Sequence, residues 1–166
     1  MNYDRARNLI RSGDLLAWSH TGWRTWRDIK IQFVRIFTRS EYSHVGTAWV
    51  MGGRVWVIEA VTPHPRLIPL SNALPFYWAP LGAPWMPETE TRALAIIGVD
   101  RNVYSETEAV RGALGTLHPG EDNLWMCAEL AWCIAMWDGI ELGKNITPSG
   151  LMAAALDSDS EIIKVR

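Results

Sequence analysis

The stretch from Trp125 to Trp137 is apolar nearly all round. Wound as a helix it presents no polar face, and such a helix belongs at the centre of a domain. Gly139 lies just beyond its end, where helices commonly stop. The chain has 166 residues. A domain of that size buries roughly 70% of the surface its unfolded chain exposes, enough to enclose such a helix. We read residues 1–166 as one domain. The helix then needs apolar partners on every side.

The clearest partner is a β-hairpin. Tyr42–Val50 and Val55–Val61 are rich in Val, Ala, Trp and Ile, and Met51-Gly52-Gly53-Arg54 joins them. Gly-Gly suits a tight primed turn. A turn centred there sets Gly46 opposite Glu59 and His44 opposite Val61. Side chains alternate faces along a strand. His44 and Glu59 therefore share a face as diagonal neighbours, about 7–8 Å apart at the backbone and within reach of each other. The same alternation puts Tyr42 on that face.

Other elements follow from punctuation. Gly13-Asp14 turns the chain into a short strand, Leu15–Trp18. Thr21–Thr38 has Trp26, Ile29, Phe33, Ile36 and Phe37 on one helical face, with a run of Arg and Lys mostly elsewhere. Leu67–Leu70 and Phe76–Leu81 read as strands, separated by Ser71-Asn72 and broken by Pro75 and Pro80. Pro87 opens a helix over Glu88–Ile97, closed by Gly98. Ser105 and Glu108 form a capping box for a short helix ending near Gly115. Thr147-Pro148 starts a last helix, and Ile162–Val165 is a final strand. Strands and helices fall in separate blocks, which predicts an α+β fold with an antiparallel sheet.

Charge gives no reason to expect a nucleic-acid partner. Sixteen bases against eighteen acids give a net charge of −2, whereas a nucleic-acid-binding domain usually shows a basic excess. The N-terminal ten residues lack the apolar core of a signal peptide. No apolar run approaches the ~18 residues of a membrane span. These features predict a cytoplasmic protein without a transmembrane segment. Ten Trp are the one compositional anomaly. Trp is bulk for cores, interfaces and stacking surfaces.

The candidate chemistry rests on three residues. Cys127 sits near the start of the apolar helix, where the dipole and unpaired amides favour a thiolate. His44 can complete its activation, and Glu59 can hold the imidazole by one ring nitrogen while the other stays free. The helix amides beside the sulfur can donate to an oxyanion. Together these make an acyl-transfer set. Each residue has a simpler reading, since a Cys in an apolar helix is commonly a small buried hydrophobe. Cys133 is read that way. A six-residue spacing on one helix, about 9 Å of rise, keeps the two thiols from bridging. His20, His64 and His118 fall in loops. The Cys and His residues show no spacing of a structural metal site, and no phosphate loop is present. No cofactor is expected.

Tyr42-Ser43-His44-Val45-Gly46, then Val57-Ile58-Glu59-Ala60, then Cys127-Ala128-Glu129-Leu130 resemble the circularly permuted NlpC-type papain-fold amidases, the YiiX-like group. Gly13-Asp14-Leu15-Leu16 and Thr147-Pro148 also stand where that pattern has them. The resemblance spans roughly residues 11 to 155. It implies a permuted papain-like fold, with an antiparallel sheet packed against a central Cys-bearing helix. It implies a cysteine peptidase or amidase in which Cys127 is the nucleophile, His44 the general base and Glu59 the residue orienting it. Tyr42 would line the pocket or assist the oxyanion. Ala128 departs from the pattern, where Ser is common, but that position is outside the catalytic set. The implied substrate is a peptide or amino-acid amide, such as a peptidoglycan-derived peptide. Two other readings stay open: a thioester acyltransferase on the same fold, and a non-catalytic assembly module, for example in a phage particle with a structural partner.

Overall fold

The computed structural model describes residues 1–19, 41–82, 84–97, 103–104, 124–158 and 160–166. The predicted helices over 21–38 and 105–115, and the loop residues His20 and His118, lie outside the described residues.

The backbone is α+β. A short helix α1 (Tyr3–Ala6) leads to strands β1 (Leu15–Ser19), β2 (Tyr42–Met51), β3 (Arg54–Ala60) and β4 (Pro65–Pro69). A 3-10 turn over Leu70–Ala73 and strand β5 (Phe76–Ala79) follow. Then come α2 (Pro87–Ile97), two short strands β6 (Val103–Tyr104) and β7 (Leu124–Trp125), α3 (Cys127–Trp137), α4 (Pro148–Asp157) and β8 (Ile163–Val165). Six strands form one sheet in the order β4-β3-β2-β1-β5-β8, and every neighbouring pair in it is antiparallel.

The β2–β3 hairpin has the predicted register, with Val50 opposite Val55 and Thr47 opposite Ile58. Gly52 and Gly53 have φ of 60° and 71°, the two positive values a primed turn requires. Several boundaries shift. β3 ends at Ala60 and β4 begins at Pro65, two residues before the predicted Leu67. Pro is tolerated there because β4 lies at the sheet edge and Pro opens the strand. Leu124–Trp125 pairs with Val103–Tyr104 instead of joining the helix. Helix α3 therefore starts at Cys127 itself.

Alternation along β1 distributes the core over both faces of the sheet. Leu15 and Ala17 pack with Val45, Ala128, Ala131 and Ala135 on the α3 side. Leu16 and Trp18 pack with Ala48, Val57, Phe76 and Trp78 on the other. Each large side chain so buried contributes about 1.5–3 kcal/mol. A third cluster joins Leu130, Cys133 and Ile134 of α3 to Trp49 and Ile58 of the hairpin and to Ala93 and Ile96 of α2. Helix α3 thus has sheet on one side and α2 and α4 around it, which accounts for its lack of a polar face. Every Trp among the described residues is buried in these clusters or packed against them. Core packing is their use here.

Asp14 fastens the sheet where β1 begins. It is 3% exposed and accepts from the Trp78 indole (2.8 Å), the Leu81 amide (3.1 Å) and the Arg11 amide (2.9 Å). Burial pushes its carboxyl up, and these donors oppose that shift. The sequence signals a turn at Asp14. It does not signal a carboxylate tying β1 to β5 across 64 residues of chain.

Candidate active site

Helix α3 begins abruptly after β7. Met126 is extended, at φ −106° and ψ 161°. Its amide donates to Glu129 Oε2 at 3.2 Å, one arm of a capping box. Cys127 is then the first helical residue, where amide N–H groups have no partner within the helix.

On the hairpin, His44 Nε2 donates to Glu59 Oε2 at 2.6 Å. The predicted sharing of a face therefore brings the two side chains into contact. With Nε2 held by the carboxylate, Nδ1 is the ring nitrogen left for Cys127, whose thiol hydrogen-bonds to His44. Trp18 lies over His44 with ring centroids 5.4 Å apart. Its indole donates to the Ala73 carbonyl at 2.6 Å, which fixes that cover. The His44 side chain is 14% exposed and the Glu59 side chain fully buried.

The electrostatics follow from these contacts. Burial alone would push the Cys127 thiol up. The His44 hydrogen bond and charge, with the Val45 and Ala128 amides, outweigh it and hold the thiol below its ordinary value. Burial alone would lower His44, but Cys127 and Glu59 together push it up to about 10. Glu59 is held low by His44 and Arg66 against the effect of burial. These directions favour a thiolate–imidazolium pair backed by a carboxylate over a neutral thiol and imidazole. Cys133 is the internal contrast, since burial and the Glu129 charge push its thiol up to about 12. It packs in the core with Leu130 and Ile134.

Two sequence expectations need correction. Simple alternation puts Tyr42 on the face of His44. The ladder instead pairs Trp18 with His44 and Ser19 with Tyr42, which makes Ser43 an extra residue in β2. Such a bulge re-aims the neighbouring side chains. The Ser43 hydroxyl bonds back to the Trp18 carbonyl at 3.1 Å. Tyr42 packs in the cluster of Val45 and Cys127, edge-on to Tyr77 at 5.2 Å, and burial pushes its phenol up to about 12. It lies on the helix side of the sheet. Its amide donates to Ser149 of α4 at 3.2 Å, so α4 anchors the strand end that carries His44.

The second correction is a residue missed. Arg66 Nε and one terminal nitrogen both lie 2.7 Å from Glu59 Oε1. Arg66 stands directly across from Glu59 in the β3–β4 ladder. Starting the strand at Leu67 hides it. The signal available in the sequence was an acid and a base of opposite charge flanking a Pro-containing turn. His64 sits exposed in that turn.

Among the described residues no group of three or more His, Cys, Asp or Glu side chains is arranged to hold a metal ion. No helix among them is long and apolar enough to cross a membrane. No family model matches the chain, and no curated protein matches it. Among solved structures it is similar to metalloprotein YiiX from Escherichia coli O157:H7. The identity is 18%, the match covers 80% of this chain and 69% of that one, and the TM-score is 0.56. At that identity the likeness is one of fold.

Proposed function

We propose that this chain is a cysteine hydrolase that cleaves an amide or peptide bond through an acyl-enzyme on Cys127. The observation that carries the reading is the position of His44. It bridges a buried carboxylate and a thiol at the first position of a buried helix. A structural cysteine has no need of that environment, and Cys133 on the same helix lacks it.

The Cys127 thiolate attacks the amide carbonyl carbon. As the C–N bond breaks, protonated His44 gives its proton to the leaving amine. A thioester remains on Cys127. Neutral His44 then takes a proton from water, whose oxygen attacks the thioester carbonyl. The carboxylic acid leaves, and the thiolate–imidazolium pair is restored. Glu59 orients the ring and stabilises its charged form. The α+β sheet, the Cys-bearing helix and the similarity to YiiX fit the permuted papain-like architecture that the sequence motifs imply. The same motifs point to cell-wall peptides or amino-acid amides as substrates.

YiiX is described as a metalloprotein. Among the described residues the donor set does not converge on one point: His44 Nε2 is spent on Glu59, and Glu59 Oε1 on Arg66. One observation favours the assembly-module reading, namely that Cys127 is only 7% exposed.

The test is to incubate the protein with a panel of fluorogenic aminoacyl amides and peptidoglycan-derived peptides. Intact-protein mass spectrometry then looks for acyl adducts on Cys127. Hydrolysis with a trapped thioester, lost in Cys127→Ser and His44→Ala, is expected. Transfer of the acyl group to an added amine in preference to water would identify an acyltransferase instead. A folded wild type with neither adduct nor turnover favours the assembly module.

A further inference from the structure

We propose that Arg66 is a positioning residue of this site: from the neighbouring edge strand it clamps one oxygen of Glu59, so that the other is fixed on His44 as an ionised acceptor. The inference rests on the thiolate reading above.

The geometry divides the carboxylate cleanly. Oε1 takes both Arg66 contacts at 2.7 Å, and Oε2 takes His44 Nε2 at 2.6 Å. Glu59 is 1% exposed. A carboxylate so deeply buried keeps its charge only with a counter-charge beside it. At low pH a neutral Glu59 would no longer favour a charged imidazole, and the thiolate would lose its partner. Arg suits the task because it stays protonated at every working pH and offers donors in a fixed fork. Its placement is set by the backbone, since Arg66 is the direct cross-strand neighbour of Glu59 and such pairs of opposite charge attract.

The charged and titratable groups around Glu59 can be named by element. β2 contributes His44 and β4 contributes Arg66. Helix α3, packed on the hairpin, carries Cys127, which meets His44 rather than Glu59, and Glu129, which accepts from the Met126 amide. The Arg66 side chain is 44% exposed, so it can be replaced without opening the core. A bystander surface pair would contribute little in that setting. A clamp on a buried catalytic carboxylate has a larger effect, read at the cysteine.

The experiment compares wild type, Arg66→Met and Arg66→Lys, each checked for folding by circular dichroism. Two readouts are taken across pH. One is the ¹³C shift of the Glu59 carboxyl. The other is the rate of iodoacetamide alkylation at Cys127, read by mass spectrometry. In Arg66→Met the Glu59 midpoint should rise by about one unit or more. The acid limb of Cys127 alkylation should rise with it. Arg66→Lys restores the charge without the fork and should recover part of both shifts. A reactive wild-type Cys127 whose acid limb is unmoved in Arg66→Met would overturn the role of Arg66 and leave the thiolate reading intact. A wild-type Cys127 inert at every pH until the protein is denatured would overturn the thiolate reading and Arg66's part in it.

Discussion

Gly46 lies one register step beyond the last ladder pair, Thr47–Ile58, on the side of β2 that faces Glu59. A Cβ built on it would sit 2.8 Å from the Ile58 carbonyl oxygen and 3.4 Å from Glu59 Cβ. The hairpin closes tightly here because this residue has no side chain, and that closeness brings the Glu59 carboxylate to His44. Backbone and a packed Val57 methyl, also 2.8 Å away, leave little room to give. Gly46→Ala should destabilise the fold by about 1–3 kcal/mol through overpacking. Urea titration would measure the loss. A variant as stable as wild type would show that the hairpin relaxes without strain.

The two cysteines should differ sharply in reactivity. Cys127 is held below its ordinary value while Cys133 is pushed up to about 12. At pH 7 iodoacetamide should label Cys127 at least about tenfold faster than Cys133, because the thiolate is the nucleophile. His44→Ala should abolish most of that difference. Equal labelling of both thiols in the native protein would contradict the assignment.

Removing the thiol should be felt at His44. Cys127 heads the influences that push His44 up to about 10. In Cys127→Ala the imidazole midpoint, followed by NMR of the ring protons, should fall by about one unit or more. The sign for stability follows. A raised His44 stabilises the fold fully below its unfolded value of 6.5 and loses that contribution as pH rises towards about 10. A midpoint unchanged in the variant would mean that Glu59 alone sets the imidazole.

Glu59 titrates in the opposite sense. Its folded value lies below 4.5, so its contribution is complete above that pH and fades as pH falls through the folded value. Glu59→Gln should cost about 2 kcal/mol at pH 6, a buried-pair cost reduced for the partly exposed Arg66. Chemical denaturation should find the gap between wild type and variant closing below pH 4.5. A gap that persists unchanged at pH 3 would assign the loss to packing rather than charge.

Asp14→Ala should be the costliest of these changes away from the site. It removes one acceptor from three donors, among them the Trp78 indole and the Leu81 amide. Leaving them buried and unpaired costs about 3 kcal/mol or more. Thermal unfolding would show it, with Cys127 alkylation unaltered in the protein that remains folded. A coincident loss of Cys127 reactivity would tie Asp14 to the site itself.

Much of the site was legible because its determinants are local. The Gly52-Gly53 turn fixed the hairpin register, and register with period-two alternation put His44 and Glu59 together. Tyr42 escaped the same rule because the extra residue, Ser43, cannot be seen in a pattern that assumes regular pairing. Arg66 escaped because Pro65 reads as a terminator in sequence, yet an edge strand tolerates it.

The sequence by itself determined the α+β arrangement, the buried character of α3 and the pairing of His44 with Glu59. Propensity, periodicity and turn chemistry act over a few residues and leave their marks in the chain. Tertiary structure decided which oxygen of Glu59 each partner takes, that Arg66 is one of those partners, and which carboxylate ties β1 to β5. Those outcomes depend on packing between segments far apart in the chain, where angstrom-scale approach and the loss of water set the energies of charged groups.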